Sequence, residues 1–427
     1  MKVFKFGGAS VKDAAAVRNV GEILKRFEGE NIAVVVSAMG KTTNALELLT
    51  RSYFDRDGQT EGHLNKLRAY HMAILEELFE SKNHPVYTDV NNALVEIEWV
   101  IEDEPQRSFD FEYDQMVSVG ETLSTKIVSH YLKSVGVENR WVDVRDVLRT
   151  DNTYRKAQVD WDMSRQLVDR FLKPNFTEAS NGGITISQGF VGGTSENFST
   201  TLGREGSDYT AAIFAYLLDA KEVTIWKDVP GMLNADPKYF DETEKLNHIS
   251  YKEAIELAYY GATVIHPKTI KPLQNQGIPL RVRSFVDPEA EGTLIDQRTD
   301  SDSLIPSFIF KMNQTLISIA PRDFSFIVEH NLRDIFETFN RFGTTINTMQ
   351  NSAISFSVSV DGEQEQLQEL IEALKADYAV RYNEALELVT IRHYDQATME
   401  RVTIGKKVLL EQRTRTTVRL LMQDESA

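Results

Sequence analysis

Three stretches of this chain set lysines, arginines and glycines where they could hold a phosphate group. In "KFGGAS", residues 5 to 10, Lys5 precedes Gly7 and Gly8, and Ser10 follows them. Paired glycines carry no Cβ to keep a ligand from the backbone and reach φ/ψ values closed to other residues. The stretch is therefore either a phosphate cradle with one mobile cation or a plain strand-ending turn. "GFVGGTSENFSTTLGREGSDYTAA" is richer, with Gly189, Gly192, Gly193, Gly203 and Gly206 leading into a helix expected near Ser207. The backbone N–H groups of such a loop, with a helix N-terminus behind them, attract an anion without side-chain charge. Arg204 adds a bidentate donor suited to carboxylate or phosphate, while Asp208, in the first turn, could be no more than a cap. "IWKDVPGMLNADPKYF" places Asp228, Pro230 and Gly231 in a turn past the carboxyl end of a strand, where open α/β sheets hold ligands. Lys238 in "NADPK" could meet a phosphate or stay solvated.

Other polar positions are less specific. Glu121 in "MVSVGETLSTK" lies on an expected helix among hydroxyls, placed either to take a substrate ammonium or to face solvent. "SAMGKTTN" brings Ser37, Thr42, Thr43 and Asn44 together after a strand. It is not a P-loop, because the pattern GxxxxGK[ST] needs a glycine where Val35 stands. His266 has no second histidine at ligand spacing, so a metal role is not expected.

Composition narrows the partners. The formal net charge of -17 argues against nucleic acid or an anionic membrane surface as partner, and makes a local concentration of cations more telling. Without cysteine there is no disulfide, thiolate metal site or thiol nucleophile. A strand expected from residue 2 leaves no room for a signal sequence, and no apolar run is long enough to span a bilayer. The location expected is cytoplasmic.

These groups need a scaffold, and at 427 residues two or three domains are expected. "NIAVVVSAMG", "RWVDV", "GITISQGFVG", "EVTIW" and "IPLRVRSF" read as strands. The first is apolar at nearly every position, as a strand covered on both faces must be. Amphipathic stretches such as "HLNKLRAYHMAILEELFE" and "GSDYTAAIFAYLLDA" lie between them, and this alternation predicts an α/β fold with a mostly parallel sheet. Near "DPEAEGTLIDQRTDSDSLIPS" the pattern gives way to Asp, Ser, Gly and Pro, which marks a boundary at about residue 298. Beyond it, 299–427 reads as β-α-β-α-β, followed by a helix over "TMERVTIGKKVLLEQ" and a strand over "TTVRLLMQ".

In order, "KFGGAS", "VVVSAMGKTTN", "GETLS", "TLGREGSDYTA", "IWKDVPG" with "ADPK", and "YGATVIHPKTI" closely resemble the aspartate kinases of the amino acid kinase superfamily. The resemblance spans most of residues 1–298, and 299–427 resembles the family's paired ACT regulatory units: a first over about 313–384 and a shortened second from the flanking segments. It implies a three-layer amino acid kinase fold with α+β ACT domains, and transfer of the γ-phosphoryl group of ATP to the β-carboxylate of L-aspartate. That is the first step toward lysine, threonine and methionine. By the family pattern Lys5 would be catalytic, Asp208 would organise it, and Gly7, Gly8 and Ser10 would lie near the phosphates. Ser37, Thr43, Glu121 and Arg204 would hold aspartate. Lys227, Asp228, Leu233, Lys238, Thr263 and Val264 would line the nucleotide site, with Mg2+ carried on the ATP phosphates rather than in a protein cage. A homodimer through the ACT regions is implied as well. An aspartate kinase without a fused homoserine dehydrogenase is expected. Glutamate 5-kinase and acetylglutamate kinase typically lack the ACT pair, and a non-catalytic amino-acid sensor would not need Lys5, Glu121, Arg204 and Asp208.

Several positions depart from the family pattern. Thr263 stands where many members have lysine in "GAKV", and Lys227 where threonine is frequent, so Lys227 is expected to supply the missing charge. Leu233 replaces a frequent tyrosine. Glu205 replaces a glycine, and its side chain is expected to face outward. "INTMQNSA" stands where lysine-sensitive members have "VDLITTSE". Asn347 and Ala353 thereby lose two carboxylates that would bind an effector's ammonium groups, and weak or altered feedback is expected.

Overall fold

The computed structural model describes residues 1–176, 182–262, 265–323, 325–364 and 366–425. Its strands in the first 300 residues are β1 (Lys2–Phe6), β2 (Ile32–Val36), β3 (Arg140–Trp141), β4 (Ile184–Gln188), β5 (Val191–Gly193), β6 (Ser199–Thr201), β7 (Val223–Lys227), β8 (His248–Ser250), β9 (Leu280–Ser284) and β10 (Thr293–Asp296). Eight form one sheet in the order β3-β4-β2-β1-β7-β9-β10-β8, and β5 pairs with β6 in a separate hairpin. Every neighbour pair in the large sheet is parallel except β9 with β10. β2 is buried at all five positions, as its unbroken apolar sequence requires.

The helices are α1 (Ala14–Lys25), α2 (Thr42–Asp55), α3 (Thr60–Leu78), α4 (Pro85–Glu102), α5 (Phe109–Val117), α6 (Val119–Ser134), α7 (Trp161–Leu167), α8 (Gly206–Leu217), α9 (Tyr251–Tyr260) and α10 (Pro267–Gln276). Side chains alternate across the sheet. Phe4, Phe6, Val34, Val36 and Trp226 share a core with residues of α1 to α4 and α6, and Phe6 stacks on Trp226 with ring centroids 6.0 Å apart. Lys5, Val35 and Ile225 are cross-strand neighbours on the other face, where α8 packs over β1, β2 and β7 with α10 beside it. The outcome is a three-layer α/β unit made of Met1–Met232, Lys245–Ile255 and Val264–Ser301.

The second unit comprises Leu233–Glu244, Glu256–Thr263 and Asp302–Ala427, so the division falls within α9. It holds β11 (Ser307–Ala320), α11 (Glu329–Arg341), β12 (Ile346–Asn351), β13 (Phe356–Asp361), α12 (Leu367–Asp377), β14 (Ala379–Arg392), α13 (Gln396–Thr403), β15 (Lys406–Arg413) and β16 (Thr417–Asp424). The strands form one antiparallel sheet, β12-β13-β11-β14-β16-β15. β11 and β14 pair along their length, with register shifts around Gln314. On one side of that irregularity Ile317, Ile319, Phe339, Val358 and Leu370 form a core. On the other, Phe308, Val389, Ile391, Val402 and Leu420 form a second. Two α+β halves thus share their two longest strands.

Three expectations are corrected here. The helix over "TMERVTIGKKVLLEQ" ends at Thr403, because Gly405 takes a left-handed φ of 69° and Lys406–Arg413 finds a partner strand in β16. The β-α-β-α-β reading gains a strand, β12, whose polar sequence "INTMQN" gave no alternation to read. β10 lies inside the stretch taken as boundary, its burial alternating along Thr293–Asp296. Among the described residues no helix is long and apolar enough to cross a membrane.

Candidate active site

Register decides which lysines meet. Lys5 of β1 lies opposite Ile225 of β7, so Lys227, two residues on, projects from the same face at the strand ends. The first turn of α8 brings Asp208 there. Its Oδ1 is 2.6 Å from Lys5 Nζ and its Oδ2 is 3.4 Å from Lys227 Nζ, and Asp208 has no solvent exposure. Burial opposes ionisation of this carboxyl, but the two ammonium groups outweigh it and hold the pKa below its ordinary value. Two glycines allow the approach of the loops. A Cβ on Gly8 would lie 2.8 Å from the Gly40 carbonyl oxygen, and one on Gly206 would lie 2.6 Å from the Phe190 ring. Any other residue would push β1's turn from the 38–40 loop, or α8 from the turn after β4.

A cavity of about 900 Å³ opens on this cluster, lined by Lys5, Gly8, Ser37, Thr43, Glu121, Arg204 and Asp208 among others. Glu121, on the first turn of α6, is 2% exposed. Its Oε1 accepts a hydrogen bond from the Ala38 amide at 3.4 Å, and its Oε2 is buried without a partner. Burial pushes its pKa up to about 8, and the Ala38 amide and Lys5 offset that only in part. The hydroxyl cluster is anchored from behind. Thr42 Oγ1 lies 3.4 Å from Nε2 of His71, whose Nδ1 is 2.8 Å from the Leu67 carbonyl oxygen. Burial holds the His71 pKa down to about 4. The ring is therefore neutral near pH 7: its Nδ1–H donates to Leu67, and its Nε2 accepts from Thr42.

A buried carboxylate that holds two cations, beside a second with an oxygen left over, is a site for a charged ligand. The sequence profile of the amino acid kinase family matches residues 1–284. The lysine-sensitive aspartokinase 3 of Escherichia coli strain K12 is 32% identical over 419 residues, covering 95% of this chain and 89% of that protein. The chain belongs to the amino acid kinase family, as an aspartokinase. Two crystal structures of the E. coli aspartokinase III, each 29% identical, cover 100% of this chain, which spans 97% of theirs. The one in complex with lysine and aspartate gives a TM-score of 0.83, and the one with aspartate and ADP gives 0.81.

Not every residue that the aspartokinase pattern singled out lines this cavity. Ser10 is buried, and its hydroxyl donates to the Trp226 carbonyl at 3.4 Å. Gly7 lies in the same turn without lining the cavity, and Asp228 is exposed in the turn after β7. Leu233 and Lys238 belong to the second unit, where Lys238 is exposed. Thr263 and Val264 lie outside the described residues. Asn44 of the "SAMGKTTN" cluster lines the cavity too, and so do residues that motif reading missed: Glu47, Tyr113, Tyr154, Arg155 and Lys156. The Arg155 guanidinium sits 4.4 Å from the Tyr113 ring centroid. The loop that carries it is fixed by buried Asp114, which accepts from the Arg155 amide at 2.9 Å and from the Thr201 amide and hydroxyl at 2.8 and 2.7 Å. The one cue in the sequence was the polar run "DNTYRK", which has no periodicity.

Glu205 corrects an expectation. It does not face outward: it lines the cavity next to Lys5 and Asp208. Its φ of 54° is left-handed, and it precedes α8 without its side chain capping the helix. From that backbone the residue contributes to the cavity wall. Burial and the Asp208 carboxylate raise its pKa, against the pull of Lys227 and Lys5.

Proposed function

We infer that this aspartokinase transfers the γ-phosphoryl group of ATP to the β-carboxylate of L-aspartate, giving 4-phospho-L-aspartate. The observation that carries this reading is the pair of lysine ammonium groups on one buried carboxylate, of which Lys5 and Asp208 line a cavity where Glu121 keeps an unpartnered oxygen.

The acceptor carboxylate, with an ordinary pKa near ~4, is already ionised at neutral pH, so no general base is required. The barrier is the approach of two anions, and catalysis rests on positioning and positive charge. Lys5 and Lys227 supply that charge. Asp208, fixed by burial, sets their direction without touching the nucleotide. Glu121 pairs with the ammonium of aspartate. Arg204, exposed at the rim, takes a carboxylate, with Ser37 and Thr43 as hydroxyl donors. Gly8 lines the wall along which the phosphates lie, next to Gly7 and Ser10, and the family pattern assigns Asp228, Leu233, Lys238, Thr263 and Val264 to the nucleotide. The substrate is MgATP. Among the described residues no group of three or more His, Asp or Glu side chains is placed to hold a metal, and we place the ion on phosphate and water oxygens.

The wider setting follows the same resemblance: a cytoplasmic homodimer joined through the ACT-type units, acting on the route to lysine, threonine and methionine. The E. coli relative with aspartate and ADP supports the substrate assignment. An ADP-release or hydroxamate assay with L-aspartate, L-glutamate and N-acetylglutamate tests it. Turnover is expected with L-aspartate alone. Turnover with another acceptor would move the chain elsewhere in the family, and turnover with none would make it a sensor.

A further inference from the structure

Glu205 places a fourth charge in the cluster that the mechanism does not use. The residue sits in a left-handed conformation that favours glycine, just before a helix whose N–H groups its carboxylate could cap and does not. Its side chain is committed to the cavity instead. Lys5 of β1 and Asp208 of the helix that follows Glu205 line that cavity with it, Asp208 holds Lys227 of β7, and the Asp208 carboxylate and the two ammonium groups act on the Glu205 carboxyl. Glu121 of α6, Arg204 and Lys156 line the same cavity. Lys5 and Lys227 are both held by Asp208, and Glu205 adds a second carboxylate beside this cluster.

We propose that Glu205 is a positioning residue that stands in for nucleotide phosphate in the empty enzyme, neutralising the Lys5 and Lys227 pair, and takes up a proton when phosphate arrives. The reason is electrostatic. The phosphates of a nucleotide need the same ammonium groups, and a carboxylate beside them and beside Asp208 would repel the incoming charge. Protonation removes the repulsion with no movement of α8, and it leaves a neutral carboxyl able to donate a hydrogen bond to Asp208 or to a phosphate oxygen. The site's existing bias points the same way, since burial and Asp208 already favour the protonated form.

The inference rests on the reading that this cavity takes nucleotide phosphates, and one experiment separates the two. ADP with Mg2+ is titrated calorimetrically into wild type, E205Q and E205G, in two buffers of different ionisation enthalpy, at several pH values. E205G keeps the left-handed backbone without strain and E205Q keeps the shape, so both variants are expected to fold. The wild type should take up more protons per ADP bound than either variant. Both variants should bind ADP about tenfold more tightly than wild type at pH 8.5, with the gap closing toward pH 6, as linkage requires of a group that must be protonated. Equal proton uptake in all three proteins, or an affinity ratio that does not change with pH, would overturn the role of Glu205 and leave the nucleotide site standing. No binding of ADP to wild type would overturn both.

Discussion

The two units treat buried polarity in opposite ways. In the first, Asp208 holds two ammonium groups with no exposure to water, and Glu121 keeps an oxygen without a partner. In the second, Asn347 accepts from the Lys311 ammonium at 2.7 Å and donates to both Gln314 and Asp361 at 2.8 Å. Gln314 in turn donates to Asp361 at 2.8 Å and accepts from the Ser359 hydroxyl at 2.9 Å. A polar network that satisfies itself costs little to bury and offers little to a ligand. One left incomplete is costly unless a ligand completes it. The first arrangement awaits a charged substrate. The second is a finished piece of sheet, at the register shift where β11 and β14 exchange one half for the other.

The contrast is broken most severely by Lys5→Ala, which removes the cation held tightest by Asp208. A loss of about a thousandfold or more in kcat is expected, of the size found for deleting a principal electrostatic donor, with the far-UV circular dichroism of wild type. An active variant would return "KFGGAS" to being a turn.

Next in size is Glu121→Gln. Loss of a charge-assisted contact of about 1.5–3 kcal/mol should raise the KM for aspartate roughly ten- to a hundredfold with a smaller change in kcat. The pH dependence has a definite sign. With its pKa raised to about 8, Glu121 must lose a proton to pair with the substrate ammonium, so the wild-type KM for aspartate should climb as pH falls below 8. The Gln variant should lack this dependence. Stability runs the other way. A carboxyl whose folded pKa is raised favours the folded state fully below its unfolded value near 4.5, and loses that contribution as pH rises through 8. Glu121→Gln should therefore raise the Tm of the empty protein at pH 8.5 and leave it nearly unchanged at pH 4. A lower Tm at pH 8.5 would show that Glu121 is satisfied in the empty site.

The smallest effect belongs to the second unit. Asn347 is fully engaged and Ala353 brings no charge, so micromolar L-lysine should leave steady-state turnover unchanged. Inhibition at that concentration would mean the network opens for an effector.

Much of the first unit was legible because its causes are local. β2 declares itself by an unbroken apolar run and β1 and β7 by short apolar and β-branched stretches, and the glycines of "KFGGAS" and "TLGREG" mark where backbone must approach backbone. Lys5, Glu121, Arg204 and Asp208 were singled out from type and spacing and meet at one cavity. What escaped depends on long-range geometry. Arg155 enters through a loop pinned by Asp114, 41 residues earlier in the chain. The place of Glu205 on the cavity wall follows from a backbone angle that its residue type does not announce. β12 and β15 lack a readable period because edge strands are shaped by their partners as much as by their own residues.

The central claim is that two lysines on one carboxylate do the work of phosphoryl transfer, with Lys227 as the second cation. Turnover of Lys227→Ala with saturating MgATP and L-aspartate tests it most directly. A fall of about a hundredfold in kcat, with the KM for aspartate little changed, is the expected result. Turnover equal to wild type would show that Lys5 acts alone and that the 3.4 Å contact of Lys227 with Asp208 is only structural.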